Sequence, residues 1–342
     1  MVNLTKAHNE LFRREPDECF SSFDDLFSHC IAEREQSVEL WQPAMNIIPQ
    51  VGGDGLRLKL EDQPDTRLND WSFTQLCRLC GINRDTINRL TPETAGKAIR
   101  ETLPESSKPI QLLSTDRQAR SVHGASYTRL WNVELLDVLA EFQADFQPPT
   151  RAANGVGTGL YCGEQDLFAF LIDPNGWIDI EGEQFAPGFF VWNSEVGRRS
   201  LGIQTFWYQR ICGNHIVWDA VDVVQFSRKH TAKVREGLDE IRSHIEALVN
   251  RRDQRRDRFA ETIKSAMAMR IDSDEEKVVE KLAASGIPRG VVKGALPLVG
   301  QRGGHTVFAW VDALTRATGS MRFAGDRTEL DHKIGQLLAL AS

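Results

Sequence analysis

The chain has 342 residues, 41% of them hydrophobic and 26% charged, with a formal charge of −7. That composition excludes bulk disorder and allows a sizeable core, organised as two structural units or one elaborated domain. No apolar run approaches the ~20 residues that cross a bilayer, and the N-terminal MVNLTKAHNELFRREPDECF mixes charges among its apolar residues, unlike a secretion signal. A cytoplasmic protein without a membrane partner is expected.

Six cysteines (Cys19, Cys30, Cys77, Cys80, Cys162, Cys212) without a secretion signal point to reduced thiols, not to a disulfide scaffold. Cys77 and Cys80 form a C-x-x-C, but no second pair follows at zinc-binding spacing, so they are expected to pack as small hydrophobes and no metal site is expected.

Residues 1–105 are expected to form a mainly helical N-terminal region with one hairpin. Phe20, Phe23, Leu26, Phe27 and Cys30 recur at helical spacing. In IIPQVGGDGLRLKLED, a glycine-rich turn precedes the alternation Leu56, Leu58, Leu60, the period of a half-buried strand. Ser72 can cap a helix ending at Gly81, and Thr91 followed by Pro92 starts another. Residues 106–272 are expected to form a central sheet followed by a long helix. Ile110–Ser114 is a short apolar run, and Leu135, Leu136 and Leu139 mark a helix. LFAFLI-DPNG-WIDI predicts a hairpin turning at Asp173-Pro174-Asn175-Gly176, and IQTFWYQRICGNHIVW a second turning at Gly213-Asn214. From Arg228 the pattern becomes helical for about forty residues, roughly 60 Å if continuous, with Arg252 and Arg255 in the apolar seam, so that either the helix breaks near Asn250 or a basic patch sits where an apolar contact would be expected. Residues 273–342 are expected to be a C-terminal helical cap, in which Glu280–Leu298 has the outline of a helix-turn-helix presenting Arg289 and Lys293. The fold class predicted is α+β, a central antiparallel β-meander followed by a long helix, with helical N-terminal and C-terminal regions.

The stretch Phe189–Trp218 resembles the central motif of a family of uncharacterised phage- and plasmid-encoded proteins. Asn193-Ser194-Glu195 with Gly197, the run into Tyr208 and Arg210, Cys212-Gly213-Asn214, and the basic follow-on Arg228-Lys229-His230-Thr231 carry the resemblance. Shorter similarities lie at Trp71–Gly81, Ser114–Arg117 and Thr306–Thr315. The order Gly213-Asn214 departs from the family, which often has asparagine before glycine. The resemblance implies a mobile-element setting and no particular reaction.

No phosphate loop, metalloprotease motif, nucleophile elbow or calcium loop occurs, so neither an enzyme nor a cofactor is expected. From Glu195 to Ile271 there are fifteen Lys or Arg against ten Asp or Glu, a local excess of five, which leaves −12 for the remainder. Guanidinium groups suit phosphates and exposed aromatics stack on bases, so Arg198, Arg199, Trp207, Tyr208, Arg210, Arg228, Lys229, His230, Lys233 and Arg235 form a candidate surface for single-stranded DNA. Trp207 falls on one strand face and Tyr208 on the other, so one aromatic set is also a core candidate. The loop Asn193, Ser194, Glu195, Gly197 is a second candidate, with a turn-forming role as its alternative. The expected function is nucleic-acid binding by a homo-oligomer in recombination or replication of a mobile element. The competing expectation is a non-enzymatic protein acting on a host or defence factor.

Overall fold

The computed structural model describes residues 10–52, 55–60, 65–149, 159–210, 215–218, 225–250, 252–272, 274–302, 304–319 and 321–341. Among the described residues it is a mixed α and β structure built on two sheets and eleven helices. No helix is long and apolar enough to cross a membrane.

The chain begins with β1 (Glu18–Cys19) and α1 (Phe23–Glu35), which Ser22 caps by accepting the Asp25 N–H. The N-terminal sheet follows, with β2 (Ser37–Pro43), β3 (Ile48–Gly52), β4 (Gly55–Lys59) and β5 (Thr66–Leu68). Then come α2 (Asp70–Leu79), α3 (Arg84–Ile87), α4 (Pro92–Thr102), β6 (Pro109–Thr115) and β7 (Gln118–Gly124). Asn69, not Ser72, caps α2, and Ser72 completes a reciprocal capping box from the third helical position. Gly81, with φ +68°, follows its end, and Thr91 caps α4 with Pro92 at the first helical position.

The strand order is β2-β6-β7-β5-β4-β3. Its two edge strands are consecutive in sequence, joined across the single helical turn Ala44–Asn46. A flat sheet would separate them by about 24 Å, whereas the link from Pro43 to Ile48 reaches at most roughly 17 Å. The sheet therefore curls, and Phe73, Leu76, Cys77, Ala95 and Ile99 of α2 and α4 pack into one core with Leu58, Leu112 and Val122. The one hairpin expected before residue 105 is thus corrected to a sheet that also takes β6 and β7 from beyond it. In β2 the buried and exposed positions do not alternate cleanly, so the strand leaves little trace in the sequence.

After α5 (Asn132–Ala140) come β8 (Leu160–Cys162), β9 (Leu167–Ile172), β10 (Ile178–Ile180), β11 (Glu183–Asn193), β12 (Leu201–Gln209), β13 (His215–Trp218) and β14 (Gln225–Arg228). With β1 they form the central sheet, ordered β1-β8-β9-β11-β12-β13. The Asp173–Gly176 turn does not make the expected hairpin. β9 and β10 both pair with β11, β9 through Gly188–Asn193 and β10 through Glu183–Phe185, so they lie end to end along one side of it. The reversal is at Glu181-Gly182, whose φ values of +52° and +87° are those of a two-residue type I′ turn. β12 and β13 pair antiparallel as expected, with the Gly213-Asn214 turn outside the described residues.

The helical stretch expected from Arg228 begins at Glu236 and is described as α6 (Glu236–Asn250) and α7 (Arg252–Ala268), with residue 251 between them outside the described residues, and its two halves serve different cores. Ile241 and Ile245 of α6 join α1 and α5 over Phe189, Val191, Leu201 and Ile203. Phe259 and Ile263 of α7 instead join α8 (Glu275–Ala284), α9 (Arg289–Gln301), α10 (Val307–Thr318) and α11 (Ala324–Gly335) over Phe185 and Trp207. The opposite sheet face carries Phe168, Phe170, Phe190, Phe206 and Tyr208, with Ala324 of α11 against them.

Candidate functional site

The Asn193–Gly197 loop leaves the end of β11 and enters the junction between the two sheets. Asn193 Nδ2 donates to Leu130 O at 3.0 Å and Asn132 Oδ1 at 2.8 Å, while Ser194 Oγ donates to Gln165 O at 2.5 Å and accepts the Arg198 N–H at 2.9 Å. Glu195 Oε1 accepts the Asn132 N–H at 2.7 Å and Oε2 lies 3.2 Å from Arg120 Nη1. Arg120 reaches on to Glu33 at 3.1 Å. The Glu195 carbonyl accepts from the Tyr127 hydroxyl at 2.7 Å and from Arg129. Val196 O accepts Trp71 Nε1 at 2.7 Å and lies 2.9 Å from His123 Nε2. Gly197 has φ +70°, and a Cβ there would stand 2.6 Å from the His123 ring. Glu195 is only 2% exposed, and burial holds its carboxyl above the usual range, with Arg120 offsetting part of that effect. These motif residues form a buried joint that fastens the central sheet to α2, β7 and the start of α5, not an exposed ligand loop.

The expected DNA surface divides into separate places. Trp207 is fully buried, stacked on Phe259 with ring centroids 4.0 Å apart, so it cannot receive a base. Tyr208 is 4% exposed on the opposite face, beside Trp177. Arg210 lies over Trp177 with its guanidinium 5.6 Å from the ring centroid. Arg228 pairs with Glu236 and Glu240 at the start of α6, and Arg235 pairs with Glu134. Lys229 and Lys233 are exposed, and His230 is buried at the end of a ring column with Tyr127 and His123. Burial lowers the imidazoles of His123 and His230 to about 4. Arg289 and Lys293, the helix-turn-helix candidates, line a cleft shared with Glu275, Glu276 and Glu280, which offsets their charge.

Arg198 and Arg199 do meet an aromatic surface, one the sequence did not single out. A groove of about 530 Å³ lies between the outer face of the central sheet and α11, and Trp192, Arg198, Arg199, Gln204, His332 and Lys333 line it. Its volume falls within the roughly 300–1,000 Å³ of small-ligand sites. Trp192 is half-buried and pairs across the ladder with Gly202. A Cβ at position 202 would lie 2.2 Å from the indole, so the missing side chain seats the ring flat on the sheet. Phe190 lies alongside at 5.1 Å between ring centroids. Gln204 Nε2 is 3.0 Å from His332 Nδ1, and burial lowers His332, which leaves it a hydrogen-bonding group and not a cation at neutral pH.

Arg199 is already neutralised, by Asp166 at 3.1 Å and Glu329 at 2.6 Å. Arg198 and Lys333 are exposed and have no carboxylate partner among the described residues. The groove thus offers one aromatic face, amide donors and two uncompensated cations. Cys77 and Cys80 are buried in the N-terminal core, where burial raises the Cys77 thiol to about 12. His29 and Glu33, one turn apart on α1, are brought together with the sequence-distant Cys162 elsewhere, at the floor of a cleft beside the motif loop.

Comparison with protein-family models, curated proteins and solved structures yields no match.

Proposed function

We propose that the protein binds single-stranded nucleic acid in the groove beside α11, with Trp192 stacking on a base and Arg198 and Lys333 holding phosphates. The observation that carries this reading is the half-buried Trp192, seated over Gly202 next to cations without carboxylate partners. A base can lie on that indole whatever its identity, which suits sequence-tolerant binding. The resemblance of Phe189–Trp218 to phage- and plasmid-encoded proteins supports a mobile-element setting such as recombination or replication.

Charge sets the strength. Two neutralised single-strand phosphates give a salt slope of only about −1.4 per protomer, and the chain carries −7 overall. Binding by one protomer is therefore modest, and several protomers on one strand supply the affinity. The test is fluorescence anisotropy of labelled single- and double-stranded oligonucleotides across a salt series, with mass measured in parallel by light scattering. Wild type should prefer single strands, and Trp192→Ala should weaken binding by about 1–3 kcal/mol per stacked base. Absence of binding at low salt, or an unchanged affinity in both Trp192→Ala and Arg198→Ala, refutes the proposal.

A second reading, a partner protein from a host or its defences, is favoured by a separate observation. Val38, Trp41, Met45, Ile48 and Val51 are exposed apolar side chains on and between the two edge strands of the N-terminal sheet. This reading predicts a stable hetero-complex lost on Trp41→Glu and no salt-sensitive nucleic-acid binding.

A further inference from the structure

The cleft beside the motif loop holds about 780 Å³ between the N-terminal segment, α1, β5, β7 and the end of β8, and it is distinct from the nucleic-acid groove. At its floor, His29 and Glu33 project from α1 at i and i+4, the spacing that puts two side chains on one helix face. Cys162 meets them from the last position of β8. One ligand atom from each, the imidazole nitrogen, carboxylate oxygen and thiol sulfur, lies within 4.8 Å of the other two. We propose that His29, Glu33 and Cys162 bind a zinc ion whose fourth position is open to this cleft.

Geometry and chemistry agree on the ion. Tetrahedral zinc with bonds of about 2.0–2.3 Å sets its ligand atoms roughly 3.3–3.8 Å apart, so separations that lie within 4.8 Å shorten by at most about 1.5 Å. His29 and Glu33 are half-buried and can make that adjustment by rotation. A thiolate, an imidazole and a carboxylate together select zinc over calcium or magnesium, which take oxygen alone. The two anionic ligands cancel the ion's charge, which suits a partly enclosed site. Outer partners are in place as well. Arg120 holds Glu33 Oε2 at 3.1 Å, and Asn132 Nδ2 points at the Cys162 sulfur from 3.9 Å.

Three protein ligands with an open position is the pattern of zinc sites that bind a water or an anionic oxygen. The cleft is lined by more carboxylates, among them Glu18, Asp70, Asp116 and Glu164 beside the ligand Glu33, than guanidiniums, so a water is the ligand that fits the open position. Cys30, buried next to Cys162 and sharing a thiol hydrogen bond with it, is a side chain whose entry as a fourth ligand would close the site.

The full-length chain is stripped with chelator, shown to be folded by circular dichroism, and titrated with Zn²⁺ and Co²⁺ alone. Expected are one Zn²⁺ per chain in competition with a chromophoric chelator and a sulfur-to-cobalt charge-transfer band with tetrahedral visible absorption. Cys162→Ala should abolish that band, and His29→Gln, on the helix surface, should weaken zinc by more than the roughly 10–100-fold typical of losing an outer partner. Cys30→Ala should keep both affinity and spectrum. No stoichiometric zinc binding overturns the site, as does a charge-transfer band that survives Cys162→Ala. A loss in Cys30→Ala equal to that in His29→Gln overturns the open fourth position.

Discussion

Glu195→Gln removes one charge from the joint between the sheets while preserving its shape. Glu195 and Arg120 are 2% and 4% exposed, so neither charge is screened by solvent. The glutamine amide oxygen can still accept the Asn132 N–H, now made at 2.7 Å, so the backbone of α5 keeps its partner. What is lost is the countercharge 3.2 Å from Arg120 Nη1, and that guanidinium retains only Glu33 at 3.1 Å. Breaking one side of a buried pair costs about 3–5 kcal/mol; because Glu33 remains, the lower end, about 3 kcal/mol, is expected. Urea unfolding followed by circular dichroism should show the midpoint falling with an unchanged m value. Adding Arg120→Met should recover part of the loss, since it removes the uncompensated charge. A destabilisation below about 1 kcal/mol, or a double variant no better than the sum of the singles, would refute the buried joint.

Trp207→Ala should cost about 3–5 kcal/mol of stability by emptying the site stacked on Phe259, yet leave oligonucleotide affinity unchanged below its melting temperature, the reverse of Trp192→Ala. Gly202→Ala should unseat the Trp192 indole, costing roughly 1–3 kcal/mol in thermal or urea melts and reducing oligonucleotide affinity as Trp192→Ala does. With the His123 imidazole near 4 when folded and near 6.5 when unfolded, the unfolded chain binds its proton first, so this group's stability contribution is present above pH 6.5 and lost as pH falls toward 4. Burial raises the Glu164 carboxyl to about 7, which acts in the opposite sense as pH rises from 4.5. The decisive measurement is therefore the difference between wild type and His123→Gln, whose stability should fall less steeply between pH 6.5 and 4, by up to about 1.4 kcal/mol per pH unit.

Local chemistry made parts of the fold legible. Proline at the first position after Thr91 and glycine after α2 mark helix ends through backbone rules that hold anywhere. Asp173-Pro174-Asn175-Gly176 shows the limit of such rules. It does turn, with the Gly176 N–H donating to Asp173 O at 3.2 Å, yet the chain afterwards continues along the same side of β11. Only the pairing partner distinguishes a hairpin from a jog within one strand row, and partners are non-local. The assignment of α6 and α7 to two separate cores is of the same kind, because it too depends on non-local partners.

The site was less legible for a reason visible in two tryptophans. Period-two alternation places Trp207 and Tyr208 on opposite faces, but it cannot say that α7, fifty residues on, covers the first while α11 flanks the second. Trp192 stays accessible because its cross-strand partner is Gly202, a pairing set by the register across the Asn193–Ser200 connection. That connection in turn is held by Ser194 and Glu195, whose hydrogen bonds reach Gln165 and Asn132 and whose ion pair reaches Arg120. The motif thus acts on the groove at a distance: it fixes the register that sets glycine beneath the indole and delivers Arg198 to the groove mouth. Basic composition misled for a related reason. Arg228 and Arg235 belong to a cationic run in sequence, but Glu236, Glu240 and Glu134 cancel them in space, while Lys333, from the far end of the chain, supplies the charge that remains.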